Sequence, residues 1–234
     1  MTTVLVDGDI VAYRCAAVNE NADAGLAVWQ ADQFIARILE DVNADNWKIY
    51  LSGENNFRYR IFPEYKANRR NVPKPRHLER VREYLVCEHN AIIADGREAD
   101  DELGIAGTRG LHAGVIIASS DKDLLQVPGT HYNFVRRELR TITPLEGLRN
   151  LYGQLLIGDA TDNIRGCPGI GKAKAPRILE GCNTESEFIQ ATWKAFEQAG
   201  CSERDYIIAA QLLYVLRKED LFWSPPLDAD IHGN

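Results

Sequence analysis

Thr3-Val-Leu-Val6-Asp7-Gly-Asp9 opens with an apolar run that ends on two carboxylates. The pattern recurs: Ala91-Ile-Ile-Ala94 is followed by Asp95, Glu98, Asp100 and Asp101, and Gly114-Val-Ile-Ile-Ala118 by Asp121 and Asp123. Short apolar runs bounded by turn residues read as strands buried in a parallel sheet. Trp47 to Leu51 reads as another strand. Between the runs the apolar period becomes helical. Ala31 to Val42 carries Phe34, Ile35, Ile38, Leu39 and Val42, and Pro75 to Cys87 carries Leu78, Val81, Leu85 and Val86. Glu98 to Gly110 starts with acids that suit the positive end of a helix dipole. Tyr132 to Val135 and Arg140 to Thr143 predict a closing hairpin. Strands alternating with helices imply an α/β fold, a mostly parallel central sheet flanked by helices.

From Pro144 onward the chain reads helical, broken by Gly166-Cys-Pro-Gly-Ile-Gly171. The stretch 182–200, with Trp193 and Phe196, is amphipathic and carries no functional signal. Arg204 to Lys218 predicts a last helix with Ile208, Leu212 and Val215 on one stripe. No linker divides the chain. Residues 1–143 are expected to form the α/β core, with a basic segment at about 57–88, and residues 144–234 a helical extension of the same domain. The 234 residues, 45% apolar and 26% charged, belong to a globular protein. The longest apolar run, Ala113 to Ala118, is far short of the ~18–20 residues of a membrane span. The opening residues lack a basic leader, so no signal peptide is expected. Five cysteines, at 15, 87, 167, 182 and 201, show no metal or redox spacing and are expected to be free thiols in a reducing cytoplasm.

Ligands of open α/β sheets bind beyond the carboxyl ends of the strands. Three parallel strands would therefore deliver their acids to one rim. Asp159 and Asp162 add a fourth pair between helices. Single Asp pairs also serve as caps and turns; four groups on one rim point further. Gathered carboxylates raise one another's pKa, and a divalent cation is the usual compensation. Mg²⁺ or Mn²⁺ suits an all-oxygen donor set. Zinc suits it less, because the histidines at 77, 89, 112, 131 and 232 show no ligand spacing with cysteine.

The net charge of −7 argues alone against a nucleic-acid partner. Its distribution argues otherwise. Arg58 to Arg82 carries nine Lys/Arg against two Glu, and neutralising eight rim acids turns the remaining balance to +1. Phe57-Arg-Tyr-Arg-Ile-Phe-Pro-Glu-Tyr-Lys-Ala-Asn-Arg-Arg70 interleaves cations for phosphates with aromatics for stacking on bases. Gly166 to Ala173 nearly spells a phosphate loop, but Ala173 stands where Ser or Thr would hold Mg²⁺ and no strand precedes it. What remains is an anion grip. Gly169 and Gly171 expose backbone N–H groups before a helix expected near Lys172, with Lys172 and Lys174 adding charge.

Together these features resemble the flap endonuclease-like 5′ nucleases, which include bacteriophage 5′→3′ exonucleases and the 5′-nuclease domain of bacterial DNA polymerase I. The matching pieces run in order: Leu5-Val-Asp-Gly-Asp9 with Ala12-Tyr-Arg14; Phe57-Arg58; Glu64-Tyr-Lys-Ala-Asn-Arg69; Glu98-Ala-Asp-Asp101; Ser119-Ser-Asp-Lys-Asp123; Gly158-Asp-Ala-Thr-Asp-Asn163; and Gly166-Cys-Pro-Gly-Ile-Gly-Lys172. They cover about residues 4–181. The free-standing phage-type enzyme is the expected form.

The resemblance implies roles. Asp7, Glu98, Asp100 and Asp101 would hold a first Mg²⁺ or Mn²⁺, and Asp121, Asp123, Asp159 and Asp162 a second. Lys66 and Arg69, at the base of a helical arch formed by the basic segment, would contact the scissile phosphate, with Arg70 beside them. Arg14 and Arg58 would contact the substrate near the cut. The glycine turn would be a helix–two-turns–helix motif gripping duplex DNA, with a K⁺ ion. The expected partners are DNA with 5′ ends or flaps and RNA–DNA hybrids, for a monomer with no membrane contact, in the host cytoplasm if phage-encoded. One position departs: the family's Asp after the second strand is replaced by Ser52 or Gly53, which shifts that role to water, Asp9 or Glu54. Two alternatives use the same residues. One is a catalytically impaired DNA-structure-binding protein. The other is a haloacid dehalogenase-like phosphatase, for which Asp7-Gly-Asp9-Ile-Val11 fits the opening motif.

Overall fold

A computed structural model describes residues 1–111 and 113–225; His112, His232 and the end of the expected extension lie outside the described residues. The strands are β1 (Thr3–Asp7), β2 (Asn46–Leu51), β3 (Ile92–Ile93), β4 (Val115–Ala118), β5 (Gly129–Asn133), β6 (Glu138–Ile142) and the short pair β7 (Gly158–Asp159) and β8 (Ile164–Arg165). The helices are α1 (Gly8–Val18), α2 (Ala24–Asp41), α3 (Arg58–Ile61), α4 (Leu78–His89), α5 (Ala99–Arg109), α6 (Pro144–Ile157), α7 (Ala175–Ile178), α8 (Glu185–Gln198) and α9 (Glu203–Leu213).

The main sheet has the order β3-β2-β1-β4-β5-β6. Its first five strands are parallel and β6 pairs antiparallel with β5, as the alternating pattern and the hairpin predicted. The order reverses at β1, between β2 on one side and β4 on the other. The carboxyl ends of β1 and β4 therefore flank the crevice where a parallel sheet binds its ligands. Val4 and Val6 face a core shared with α1, α2 and α4, while Leu5 and Ile117 face a second one with α5. A third core joins α6, α8 and α9 around Tyr152, Phe188 and Tyr206, and it takes in Tyr65 from the basic segment.

Several boundaries differ from the sequence reading for local reasons. Asp23 accepts from the Gly25 N–H, so α2 starts well before Ala31. Pro73 and Pro75 disfavour helix in the residues before them, and α4 waits until Leu78. The helix expected near Lys172 is a turn through Lys174 followed by the four residues of α7. The last helix stops at Leu213 rather than Lys218 because buried side chains claim the backbone beyond it. Gln126 Oε1 accepts from Val215 N at 2.9 Å, and Asp101 Oδ1 from Leu216 N at 3.1 Å. A Cβ on Gly104 would meet Leu216 O at 2.4 Å, so only glycine lets this tail lie against α5.

Arg58 closes this junction. It is 2% exposed and donates to Asp101 Oδ2 and Oδ1 at 2.7 and 2.9 Å, and to the carbonyls of Leu212 and Tyr214 at 2.9 and 2.8 Å. Asp101, with no exposed surface, also accepts from Glu98 N. Two expectations are thereby corrected. Asp101 is the buried counter-ion of Arg58 and does not line the cleft that holds Asp7, Glu98 and Asp100. Arg58 spends its donors inside the protein and is closed off from a substrate. Breaking a buried pair from one side leaves an unpaired charge, at a cost of about 3–5 kcal/mol. Asp101→Ala is expected to lose about that much in urea unfolding in EDTA; a loss below ~1 kcal/mol would contradict the structural role.

Candidate active site

The crevice is a cleft of about 640 Å³ lined by Asp7, Asp9, Glu98, Asp100 and Asp121, with Arg14, Lys66 and Arg69 on the same wall system. Asp7 ends β1 and caps α1: its Oδ1 accepts from Ile10 N at 3.1 Å and its Oδ2 from Ser119 Oγ at 2.6 Å. Ser119 stands just past β4 and its Oγ also accepts from Asp121 N, so one hydroxyl ties the two strand ends together. Asp121 in turn accepts from Asp123 N at 2.9 Å. Glu98 caps α5, which places Asp100 in its first turn.

The electrostatics set these acids apart. Burial pushes the Asp7 carboxyl up to about 7, against its Ser119 hydrogen bond, and Asp9 and Asp121 add to the rise. Burial, then the charges of Asp7, Asp121 and Glu98, hold Asp100 well above the carboxylate range. The remaining acids have cationic company. Lys66 pairs closely with Glu98 and lies 3.6 Å from Asp162; Tyr65 OH lies 2.9 Å from Glu98 and 3.1 Å from Asp162. Lys122 lies 2.7 Å from Asp159 and 3.0 Å from Asp123. Burial raises Asp123 and Asp162. At Asp159 burial acts in the same direction, but Lys122 and the Thr161 N–H outweigh it and leave the pKa lowered.

The expected second set therefore divides. Asp123 and Asp159 meet at Lys122, with Asp121 joined to them through the Asp123 N–H, whereas Asp162 turns to Lys66 and to Arg69 Nη2 at 2.6 Å, beside Glu98. Among the described residues no three His, Cys, Asp or Glu side chains form a ready-made ion site. The donor set nonetheless fits a hard divalent cation. It is all oxygen, Asp100 has no hydrogen-bond partner among the described residues, and neighbouring acids raise one another's pKa where no cation offsets them. The described histidines are engaged elsewhere: His77 with Ala22 O, His89 with Asp32 and His131 with Val127 O.

Of the two positions where the departure after β2 falls, Gly53 has a steric reason to lack a side chain. A Cβ on Gly53 would fall 1.9 Å from Ala94 O, so no aspartate fits there. Ser52 Oγ accepts from Ala99 N and its own N–H donates to Asp9 Oδ2 at 2.9 Å. Asp9, paired with Arg82, brings its carboxylate to this edge of the cleft.

Lys66 has φ 53°, the left-handed region that a non-glycine residue seldom occupies. Its N–H donates to Asp162 O at 3.0 Å, which fixes the turn. Beyond it, Tyr13, Tyr59, Lys66, Arg69, Arg70 and Lys74 line a second cavity of about 780 Å³. Of the four aromatics expected to stack on bases, Phe57 and Tyr65 are buried and Tyr59 is exposed. The expected arch segment is built from α3, a single 3₁₀ turn (Ala67–Arg69) and α4. The glycine turn is exposed, with Gly169 at φ 74°. Lys174 Nζ donates to Gly169 O at 2.9 Å, while Lys172 is solvent-exposed. Sequence reasoning assigned no role to Tyr13, Ser119 or Lys122, and took Tyr65 only as one of the stacking aromatics. Lys122 carried a signal, since it stands between Asp121 and Asp123; Tyr65, inside a quoted motif, gave none for its place.

Comparison with known proteins decides the family. Residues 2–152 match the model of the 5′–3′ exonuclease, N-terminal resolvase-like domain. The chain belongs to this 5′–3′ exonuclease family. It is 30% identical over 208 residues to a DNA polymerase I of Bacillus caldotenax, covering 77% of this chain and 23% of that protein. It is 30% identical over 200 residues to a 5′–3′ exonuclease of Buchnera aphidicola, covering 76% of this chain and 69% of the relative. Among solved structures the fold resembles a zinc-bound T5 5′-exonuclease (TM-score 0.71, 21% identity, 91% of this chain and 89% of the other). It also resembles a bacteriophage T5 flap endonuclease in complex with DNA and metal ions (TM-score 0.64, 20% identity, 90% and 89%).

The folded state of this family member holds protons on Asp7 and Asp100 that the unfolded chain releases. Their contribution to stability therefore falls as pH rises from 3.8 toward about 7. In EDTA the melting temperature is expected to drop across that window. Asp7→Asn, which cannot ionise, should flatten the drop and melt at least ~3 °C higher at pH 7.5. An unchanged pH slope in this variant would contradict the assignment of the strain to Asp7.

Proposed function

We propose that this chain is a structure-dependent, divalent-metal-dependent 5′→3′ exonuclease and flap endonuclease that hydrolyses DNA phosphodiesters to 5′-phosphate products. One observation carries the reading. Uncompensated carboxylates at the sheet's switch point, Asp7, Asp100 and Asp121, share one cleft with Lys66 and Arg69. The acids suit a cation, and the cations suit a phosphate; a phosphodiester with its metal needs both.

Asp7, Asp100 and Glu98 would hold one Mg²⁺ or Mn²⁺, and Asp121, Asp123 and Asp159 a second. Such ions supply positive charge to the phosphate and a water of lowered pKa. The chain's own residues do the rest. Lys66 and Arg69 leave their carboxylate partners for the scissile phosphate and offset the charge that develops on it. Tyr65, whose hydroxyl burial keeps protonated, holds Glu98 and Asp162 in place. Lys122 would yield the second acid group to the ion. Arg14, Tyr13, Tyr59 and Arg70 guide a single strand past the cleft, and the glycine turn, with Lys172 and a K⁺ ion, grips the duplex. These are backbone contacts, so little sequence preference and a strong salt dependence follow. RNA–DNA hybrids are accepted on the same basis. A monomer acting in the cytoplasm in DNA replication or primer removal is the setting this chemistry fits. The family match leaves the phosphatase alternative without support.

The first test is a 5′-flap duplex labelled at either end, with Mg²⁺, Mn²⁺ or EDTA. Metal-dependent products from the 5′ side are expected; binding without cutting in either metal would instead favour the catalytically impaired, structure-binding protein. Asp121→Ala should abolish cleavage and keep DNA binding within about threefold, and Lys66→Ala should lower kcat about 10²-fold. Unchanged cleavage by Asp121→Ala would overturn the mechanism.

A further inference from the structure

We propose that the groove between α1 and α2, beside the acidic cleft, is a phosphate subsite for the substrate strand; this rests on the nuclease reading above. The groove encloses about 310 Å³ and shares Arg14 and Val18 with the cleft wall, so the two are continuous. Its chemistry is the reverse of the cleft's: no carboxylate lines it.

Two guanidinium groups meet there. Arg14 projects from α1, and Arg37 from α2 at 4.8 Å over the Phe34 ring. Neither has a hydrogen bond or ion pair among the described residues, in contrast to Arg58, Arg69 and Arg82, which are all committed. The amide of Gln30 is oriented for the same purpose. Buried Asn19 Nδ2 donates to Cys15 O at 2.7 Å and to Gln30 Oε1 at 2.8 Å. That spends the Gln30 acceptor and leaves its NH₂ group as a donor for the groove. Gln33, one turn along the same α2 face, stands at the rim with its Nε2 3.5 Å from Asp32 Oδ2. Cys15 forms the floor as a neutral thiol, pushed up to about 11 by burial. The lining thus offers donors and positive charge; Asp41, whose charge Arg37 also feels, lies outside it and is paired with Arg137.

A phosphate of the substrate strand matches this set, since paired guanidiniums are the strong protein partners of phosphate oxygens. It could be the terminal 5′-phosphate, which carries nearly two charges, or an internal phosphodiester, which carries one. The shared chemistry is the phosphate; the source is an experimental question.

The test uses the full chain with 5′-flap duplexes that end in a 5′-phosphate or a 5′-hydroxyl. Equilibrium binding is measured by fluorescence anisotropy in EDTA, and KM and kcat in Mg²⁺. Arg37→Gln, at an exposed position, is expected to weaken binding about tenfold, with KM following and kcat changing less than about twofold. Gln33→Glu should weaken binding by placing a carboxylate at the rim. Arg136→Gln, which removes one exposed charge from the β5–β6 turn, is the control and should change binding less than about twofold. A loss confined to the 5′-phosphate substrate supports the terminal source, and an equal loss on both supports an internal phosphate. Binding by Arg37→Gln within about twofold of wild type on both substrates, or an equal loss in Arg136→Gln, would overturn the subsite. Wild-type cleavage with Arg37→Gln unaffected overturns this inference alone. No wild-type cleavage in either metal, with binding still lost in Arg37→Gln, overturns the nuclease reading and leaves the phosphate site.

Discussion

The buried pair of Arg58 and Asp101 is the constraint on which the rest of the structure depends. Two charges have been taken out of water, which is costly unless every polar atom finds a partner. Here they do: the guanidinium serves Asp101 and two carbonyls at the end of α9, and Asp101 also accepts from Glu98 N and Leu216 N. One junction therefore pins the basic segment, the start of α5 and the chain beyond α9. Glu98 and Asp100 precede Asp101 by three residues and one. Their place on the rim is inherited from a side chain that never reaches it.

The rim itself is held against its own charge. Burial and neighbouring acids raise the pKa values of Asp7 and Asp100, while Lys66 and Lys122 neutralise the acids on either side. Each lysine stands where a substrate phosphate or a metal ion would need a carboxylate or a cation freed. The resting site is thus balanced by groups that the proposed reaction would redeploy. Stability and function oppose each other at Asp7: the burial that raises its pKa costs stability at neutral pH, and a bound cation would return it. The left-handed backbone of Lys66 is a second such cost, met by its hydrogen bond to Asp162.

The groove between α1 and α2 completes this division of charge. The cleft gathers acids with a few committed cations, and the groove next to it gathers uncommitted cations with no acids. A nucleic-acid strand carries its charge at every phosphate, so on the proposed reading a cleft for metal ions would benefit from an adjacent place that draws in only the strand.

Much of this was legible in the sequence, because apolar runs that end in acids report both a buried strand and its carboxyl end. The parallel sheet, the closing hairpin, and the convergence of Asp7, Asp100 and Asp121 on one cleft follow from that pattern, whereas Lys66 and Arg69 were expected there only through the family resemblance. Sequence order, however, carries no information on which of two adjacent carboxylates turns inward. Asp100 and Asp101 look alike in Glu98-Ala-Asp-Asp101, yet helical geometry sends one to the cleft and the other to Arg58. The same holds for Arg14 and Arg58, one open and one sealed. Nor does the sequence reveal that Gly53 lies against Ala94 O, which excludes a side chain there, or that Ser52 N and Arg82 hold Asp9 at that edge. Residue type and spacing determined the chemistry this chain gathers. Only the tertiary structure decided which charges are spent on folding and which are left free, because burial and hydrogen-bond partnership are set by contacts distant in sequence.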